Sequence, residues 1–232
     1  MSARVSLFAG ILAGLALLAG CFGAAYWLLL PERFPVARVE VKGSLQKTSR
    51  AQIEAALPRT ATNFFIADLA EARSAVEKLP WVRRVGVRRV WPDALEISVE
   101  EHVALARWGD DRLVNVQGET FSARSSEALP SFIAPGGTAA EVTRRYRRFS
   151  EIIVPLGTGV ERVVLTPRHA WQLRLGNGLH LMLGRDADAA EARLVEFIKA
   201  YPSTVARVGR KHEYVDLRYP NGFAVRLPEL DS

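Results

Sequence analysis

The chain has 232 residues, 49% of them hydrophobic and 24% charged, which is too apolar for a disordered polymer and long enough for more than one small domain. Its net charge of +6 raises the question of a phosphate-bearing partner, and its single cysteine excludes any disulfide framework within the chain.

Residues 5–30, VSLFAGILAGLALLAGCFGAAYWLLL, carry no charge. At about 1.5 Å per residue such a helix exceeds the roughly 30 Å of a bilayer core. A membrane-spanning helix is therefore predicted over 5–30, with residues 1–4 as a short tail. A cleaved signal peptide has a much shorter apolar core, about 7 to 15 residues. The string LAGC at 18–21 resembles a lipoprotein lipobox, but the sequence stays apolar for nine residues after Cys21. Arg4 precedes the run, while Arg33, Arg38, Lys42 and Lys47 follow it. Counting positive charge alone would leave the large C-terminal part in the cytoplasm.

Beyond PERFP the pattern turns to short elements. VARVEVKG at 36–43 alternates valine with charge and ends on glycine, as a strand does. Ser49 with Gln52 reads as a capping box opening the helix RAQIEAAL, which Pro58 ends. Asp68 with Glu71 repeats the signal before LAEARSAVEKL, where Leu69, Ala72, Val76 and Leu79 share one helical face. Next comes WVRRVGVRRVW at 81–91, a palindrome of arginines and valines around Gly86. As a strand it turns Val85 and Val87 to a core and Arg84 and Arg88 away. After a turn at Pro92 and Asp93, ALEISVEE returns with Leu95, Ile97 and Val99 inward and Glu96, Ser98 and Glu100 exposed across from the arginines. Four arginines between 79 and 101 meet four carboxylates, and phosphate binding needs uncompensated charge. Nucleic acid is not an expected partner.

The order strand, helix, helix, strand, strand, closed by LPWVRRVGVRRVWPDALEISVEEHVALARW, resembles the POTRA domain and following junction of the bacterial FtsQ/DivIB family of division proteins. The resemblance continues through LVNVQGETF at 113–121, WQLRLGNGLHLMLGR at 171–185 and YVDLRYPNGFAVRL at 214–227. It implies an α+β protein: one N-terminal transmembrane helix, a POTRA domain over 34–102, a β-rich domain with two or more helices over 103–228, and a tail at 229–232. It also implies an inner-membrane protein with a cytoplasmic N-terminus and a periplasmic body at the division septum. In that family the protein is a non-enzymatic divisome scaffold that binds FtsB and FtsL and links early to late division proteins. Here only MSAR precedes the apolar run, which puts any cytoplasmic contact in doubt. The alternative is a POTRA-bearing outer-membrane assembly or secretion component, which usually has several POTRA repeats or a β-barrel.

In the second domain, Leu173 and Leu175, then GNG at 176–178, then Leu179, Leu181 and Leu183 read as a hairpin. One helix is predicted over about 141–154, with Val142, Tyr146, Phe149 and Ile153 as its inner stripe. The arginines of RRYRRF are then left as a solvated face, or one for anionic lipid or an acidic partner. A second helix is predicted to open at Asp188 with Glu191 and to bury Val195, Ile198 and Tyr201.

No catalytic constellation, cofactor site or small-molecule site is legible. His102, His169, His180 and His212 lack metal-ligand spacing, and no nucleophile elbow or phosphate loop occurs. The interaction surface is expected at the C-terminus. Val215, Leu217 and Tyr219 alternate with Asp216, Arg218 and Pro220, and Asn221 with Gly222 turns into FAVRL. Pro220 lacks an N–H and places this hairpin near a sheet edge. Such an edge can accept a strand from another chain. The resemblance implies that it receives FtsB, with Arg218 for an acidic residue and Tyr219, Phe223 and Val225 for apolar contact. Tyr214, Asn221, Gly222, Ala224 and Leu227 complete the expected surface.

Overall fold

In the computed structural model, which describes residues 2–30, 33–58, 63–208, 214–219 and 222–227, the chain divides into two units, residues 1–101 and 102–232. The first begins with helix α1, Ser2–Leu29. Within it Gly10–Leu28 is long and apolar enough to cross a membrane, and its window is 0% buried by the rest of the protein. The helical backbone starts at Ser2, inside the predicted tail, because a charge such as Arg4 ends a membrane core without ending a helix. Buried Asn63 donates to the carbonyls of Leu28 and Leu30, satisfying acceptors that the end of α1 leaves open.

There follow β1 (Arg38–Lys42), α2 (Arg50–Ala56), α3 (Leu69–Glu77), β2 (Val82–Val90) and β3 (Ala94–Glu101), in the expected order. The sheet runs β1-β3-β2, with β1 parallel and β2 antiparallel to the central β3. The predicted capping box is made: Ser49 Oγ accepts from the Gln52 amide and Gln52 Oε1 from the Ser49 amide. Asp68 alone caps α3, accepting from the amides of Ala70 and Glu71. Ile53 and Val76 pack on Val82, Val85, Ile97 and Val99.

Three of the four arginines of the palindrome are engaged within the unit, though not always across the hairpin, and Arg84 is exposed. Arg88 binds Glu96 through two nitrogens, and Lys42 binds it from the other side. Glu96, expected to be exposed, is 7% exposed. Its strand is central, so long cations from both neighbours close over it and hold its carboxyl down to about 2 through the Arg88 and Lys42 hydrogen bonds. Arg83 pairs with Glu100, and Arg38 with Asp93. Arg89 donates to the carbonyls of Phe64 and Ala67, while Glu101 accepts the amides of Gln46, Lys47 and Thr48.

Among the described residues the second unit has nine strands and two α-helices: β4 (Ala104–Trp108), β5 (Arg112–Asn115), β6 (Thr120–Phe121), β7 (Ser131–Ile133), α4 (Ala139–Ile153), β8 (Val160–Leu165), β9 (Trp171–Leu175), β10 (His180–Gly184), α5 (Ala187–Ala200), β11 (Tyr214–Asp216) and β12 (Ala224–Arg226). The nine strands form one sheet ordered β12-β11-β10-β9-β8-β7-β4-β5-β6. Val142, Phe149 and Ile153 of α4 and Leu194 and Phe197 of α5 pack with Phe132, Val163, Trp171, Leu173, Leu181 and Leu183 in one core.

Two helix expectations need correction. Asp186, not Asp188, caps α5, because its extended backbone lets the carboxylate accept the amides of Asp188 and Ala189. The buried stripe is then Ala190, Leu194, Phe197 and Ile198, with Val195 exposed and Tyr201 half-buried. Nor is the RRYRRF run a free basic face. Arg145 pairs with Asp188 and Glu191, Arg148 with Glu151 and Glu191, and Arg147 donates to the Val116 carbonyl. Those arginines staple α4 to α5 and to the β5–β6 turn.

Candidate functional site

The end of the large sheet is built from three strands. β11 pairs parallel with β10, matching Leu181 to Val215, and antiparallel with β12, matching Val215 to Val225. Among the described residues no strand pairs with the outer side of β12, which places the predicted hairpin at an edge. An edge of this kind is where a sheet can receive another strand.

The predicted residues divide into two sets. Tyr219 is 54% exposed, and Gly222, Ala224 and Leu227 also face solvent. Phe223 and Val225, expected to serve apolar contact, instead pack against the domain core. The Phe223 ring stands edge-on to Phe197 at 5.1 Å, and Val225 lies opposite buried Val215. Both are needed to close a core that two three-residue strands could not otherwise cover. Tyr214 is half-buried at the start of β11, and Asn221 lies outside the described residues.

Arg218 differs from expectation as well. It grips Asp216 two residues earlier, with Nε to Oδ1 at 2.8 Å and Nη2 to Oδ2 at 2.5 Å, while its amide also donates to Oδ1. Asp216 is 4% exposed, and these hydrogen bonds from Arg218 hold its carboxyl below the usual range. The cation is thus anchored rather than free. Its side chain is still 57% exposed, so donors that Asp216 does not use meet solvent.

Beside this edge lies a cleft of about 540 Å³ lined by Thr166, Pro167, Arg168, Ala170, Gly184, Arg185, Asp186, Arg193 and Arg218. Four arginines thus meet one carboxylate, and Asp186 is already capping α5. Arg193 Nη2 donates to the Leu183 carbonyl, while its Nε is buried without a partner. Gly184 makes the arrangement possible: its φ is +87°, and a Cβ there would meet Arg218 Cγ at 3.3 Å. Such a cleft attracts carboxylates, since guanidinium forks match their geometry. The cleft escapes sequence reading because its arginines come from the β8–β9 turn, the β10–α5 turn, α5 itself and the segment after β11. Only the sheet order brings them together.

Among the described residues no group of three or more His, Cys, Asp and Glu could hold a metal ion. The architecture agrees with the comparisons. The model of the cell division protein FtsQ/DivIB C-terminal region matches residues 106–218, and that of the FtsQ-type POTRA domain matches residues 34–102. The chain belongs to the FtsQ/DivIB family. Cell division protein FtsQ of Burkholderia pseudomallei (strain K96243) is 41% identical over 229 residues, covering 96% of this chain and 92% of that one. The FtsQ of Nitrosospira multiformis is 42% identical over 206 residues, 86% of each chain. That of Bordetella pertussis (strain Tohama I) is 38% identical over 250 aligned positions, covering 97% of this chain and 92% of that one. FtsQ membership replaces the alternative of an outer-membrane assembly or secretion component. The FtsQ/DivIB match stops at Arg218, so β12 lies beyond it.

Proposed function

We propose that this FtsQ-family protein is a non-enzymatic, single-pass scaffold of the divisome, and that it binds FtsB and FtsL through the β12 edge and the adjacent arginine cleft. The observation that carries the reading is the outer side of β12, which no described strand pairs, together with a cleft where Arg168, Arg185 and Arg193 accompany one carboxylate and Arg218 is held by Asp216. A partner segment adds as a strand, main-chain hydrogen bonds supplying affinity, and its acidic side chains enter the cleft and fix register. Tyr219 and Leu227 offer exposed apolar surface at the two ends of the turn and strand. In this reading the N-terminus is cytoplasmic, and the body is periplasmic and gathers at the septum. The lysines and arginines after the apolar run do not oppose it strongly, because large domains translocate largely regardless of charge. The domain limits follow from the same reading, with POTRA over 34–102 and the β domain over 103–228.

The test is binding of the full chain, in micelles of a neutral detergent, to the soluble segment of FtsB. Tyr219→Ala and the double variant Arg168→Glu/Arg185→Glu, both exposed cleft arginines, are expected to weaken binding by about tenfold or more while leaving the fold intact. Unchanged binding by both folded variants would remove the edge from consideration. No binding by the unaltered chain would remove FtsB as the partner.

A further inference from the structure

The register of the large sheet sorts its side chains into cross-strand rows that alternate between faces. One row, Trp108, Phe132, Val163, Leu173, Leu181 and Val215, runs across six strands and is buried throughout beneath α4 and α5. The row beside it must face the other way. It reads Arg107, Ser131, Arg162, Arg174 and His180, each matched to the next in register on β4, β7, β8, β9 and β10. At about 4.8 Å per strand this is a line of hydrogen-bond donors roughly 19 Å long.

Like charges directly opposite one another in a sheet are unfavourable, yet Arg162 and Arg174 are such a pair. Within the unit little relieves them. Glu161, displaced at the bulge beside Arg162, reaches Arg174 at 3.6 Å from a 62% exposed position, and Arg162 takes part in no ion pair among the described residues. Arg107 is tied down, donating to the carbonyls of Ser125 and Glu127. Between Arg162, Arg174 and His180 lies a recess of about 320 Å³, floored by Val164, Gln172 and Leu173. The next row on the same face holds Ile133, Val164, Gln172 and Met182 and continues on β11 to Asp216, whose charge Arg218 already takes up. Ile133 is 46% exposed and Val164 and Met182 are half-buried. A strip that is apolar except at Gln172 therefore runs alongside the cationic one.

We propose that this face is a second docking surface, which takes an acidic amphipathic helix of another protein laid across β7 to β10. Its carboxylates meet Arg162 and Arg174, and its apolar side meets Ile133, Val164 and Met182. Carboxylates three or four residues apart on a helix are about 5–6 Å apart, close to the strand spacing that separates the arginines. A lipid surface fits less well, because the donors form a row only one residue wide. The row is also arginine without lysine, and planar forks suit paired carboxylate oxygens. The surface is separate from the β12 edge and does not depend on what binds there.

A hydrocarbon-stapled, fluorescent alanine-based helix of about 18 residues provides the probe, with glutamates along one face and leucines beside them; its control has the same residues spread around the helix. With the full chain in neutral micelles, the patterned helix is expected to bind about tenfold more tightly than the control. Arg162→Glu/Arg174→Glu should abolish that preference and Arg162→Lys/Arg174→Lys should retain part of it. Arg168→Glu/Arg185→Glu should change it less than about twofold. Thermal unfolding of each variant establishes folding. Equal binding of both helices overturns the proposal, as does binding that the glutamate pair leaves unaltered while folded. If short-chain phosphatidylglycerol, and not the helix, binds with the same dependence on the two arginines, the face serves lipid and the proposal also falls.

Discussion

Replacing Phe223 by alanine separates folding from recognition at the sheet edge. A fully buried phenylalanine costs about 3–5 kcal/mol on truncation. Phe223 is half-buried and also holds an edge-on contact with Phe197 at 5.1 Å, which such ring pairs make worth about 0.5–1.5 kcal/mol beyond burial. Half the core figure with that contact included gives about 2 kcal/mol, spent in holding β11 and β12 against the core. Hydrogen exchange of the full chain in micelles reads this locally, because opening of an edge element need not unfold the whole unit. Amides of 214–227 should exchange about 30-fold faster in Phe223→Ala, the factor that 2 kcal/mol represents. Tyr219→Ala, at a 54% exposed position, should stay within about 0.5 kcal/mol of the parent. Unaltered exchange in Phe223→Ala together with acceleration in Tyr219→Ala would refute the assignment of Phe223 to the core and Tyr219 to the surface. The consequence for binding studies is practical: loss of a partner in a Phe223 variant reports edge melting as readily as a lost contact.

Glu96 makes the first unit acid-sensitive. Its folded value, about 2, lies below its ordinary 4.5, so its contribution is complete above about pH 4.5 and fades as pH falls toward 2. Thermal melts across that range should show the loss, and Glu96→Gln should be less stable at neutral pH with a flatter acid profile. Gly118 has φ +85°, and a Cβ there would lie 2.7 Å from Ala140 Cα. Gly118→Ala should therefore cost about 2 kcal/mol in denaturant unfolding, whereas Gly136→Ala, with nothing within 4 Å, should cost less than about 0.5 kcal/mol. Arg145 is 21% exposed and bridges Asp188 and Glu191, while Arg148 is 59% exposed. Arg145→Ala should destabilise the second unit by about 1–2 kcal/mol and Arg148→Ala by less than about 0.5 kcal/mol, read from unfolding midpoints.

Much of the fold was legible because local chemistry and periodicity agree. Ser49 with Gln52, the alternation of Val85 and Val87 against arginine, and the leucines around GNG each name an element that the structure contains. The errors come where two local signals compete. Asp186 and Asp188 can both start a helix, and only the chain's exit from Gly184 favours the first. Glu96 follows the polar phase of its strand, but a strand flanked on both sides buries even its polar face when the neighbours carry long cations. Alternation reports which face a residue takes, and it does not report how deeply that face is covered.

The site was legible only in outline, for a related reason. Pro220 signalled an edge correctly, since a missing N–H is a property of the residue itself. Yet Asp216 and Arg218 share one face of an extended chain with opposite charge. That spacing contains the clamp seen in the structure, although alternation alone sends both residues to solvent. The clamp alters what the edge can do. A free arginine gains a partner's carboxylate at the full cost of ordering its own side chain, whereas one already held by Asp216 presents fixed donors and must share its charge. Arg168 and Arg185, which face the same cleft from other turns, therefore supply most of the uncompensated attraction. In the proposed docking, Arg218 contributes a wall of that cleft whose donors Asp216 already holds in place.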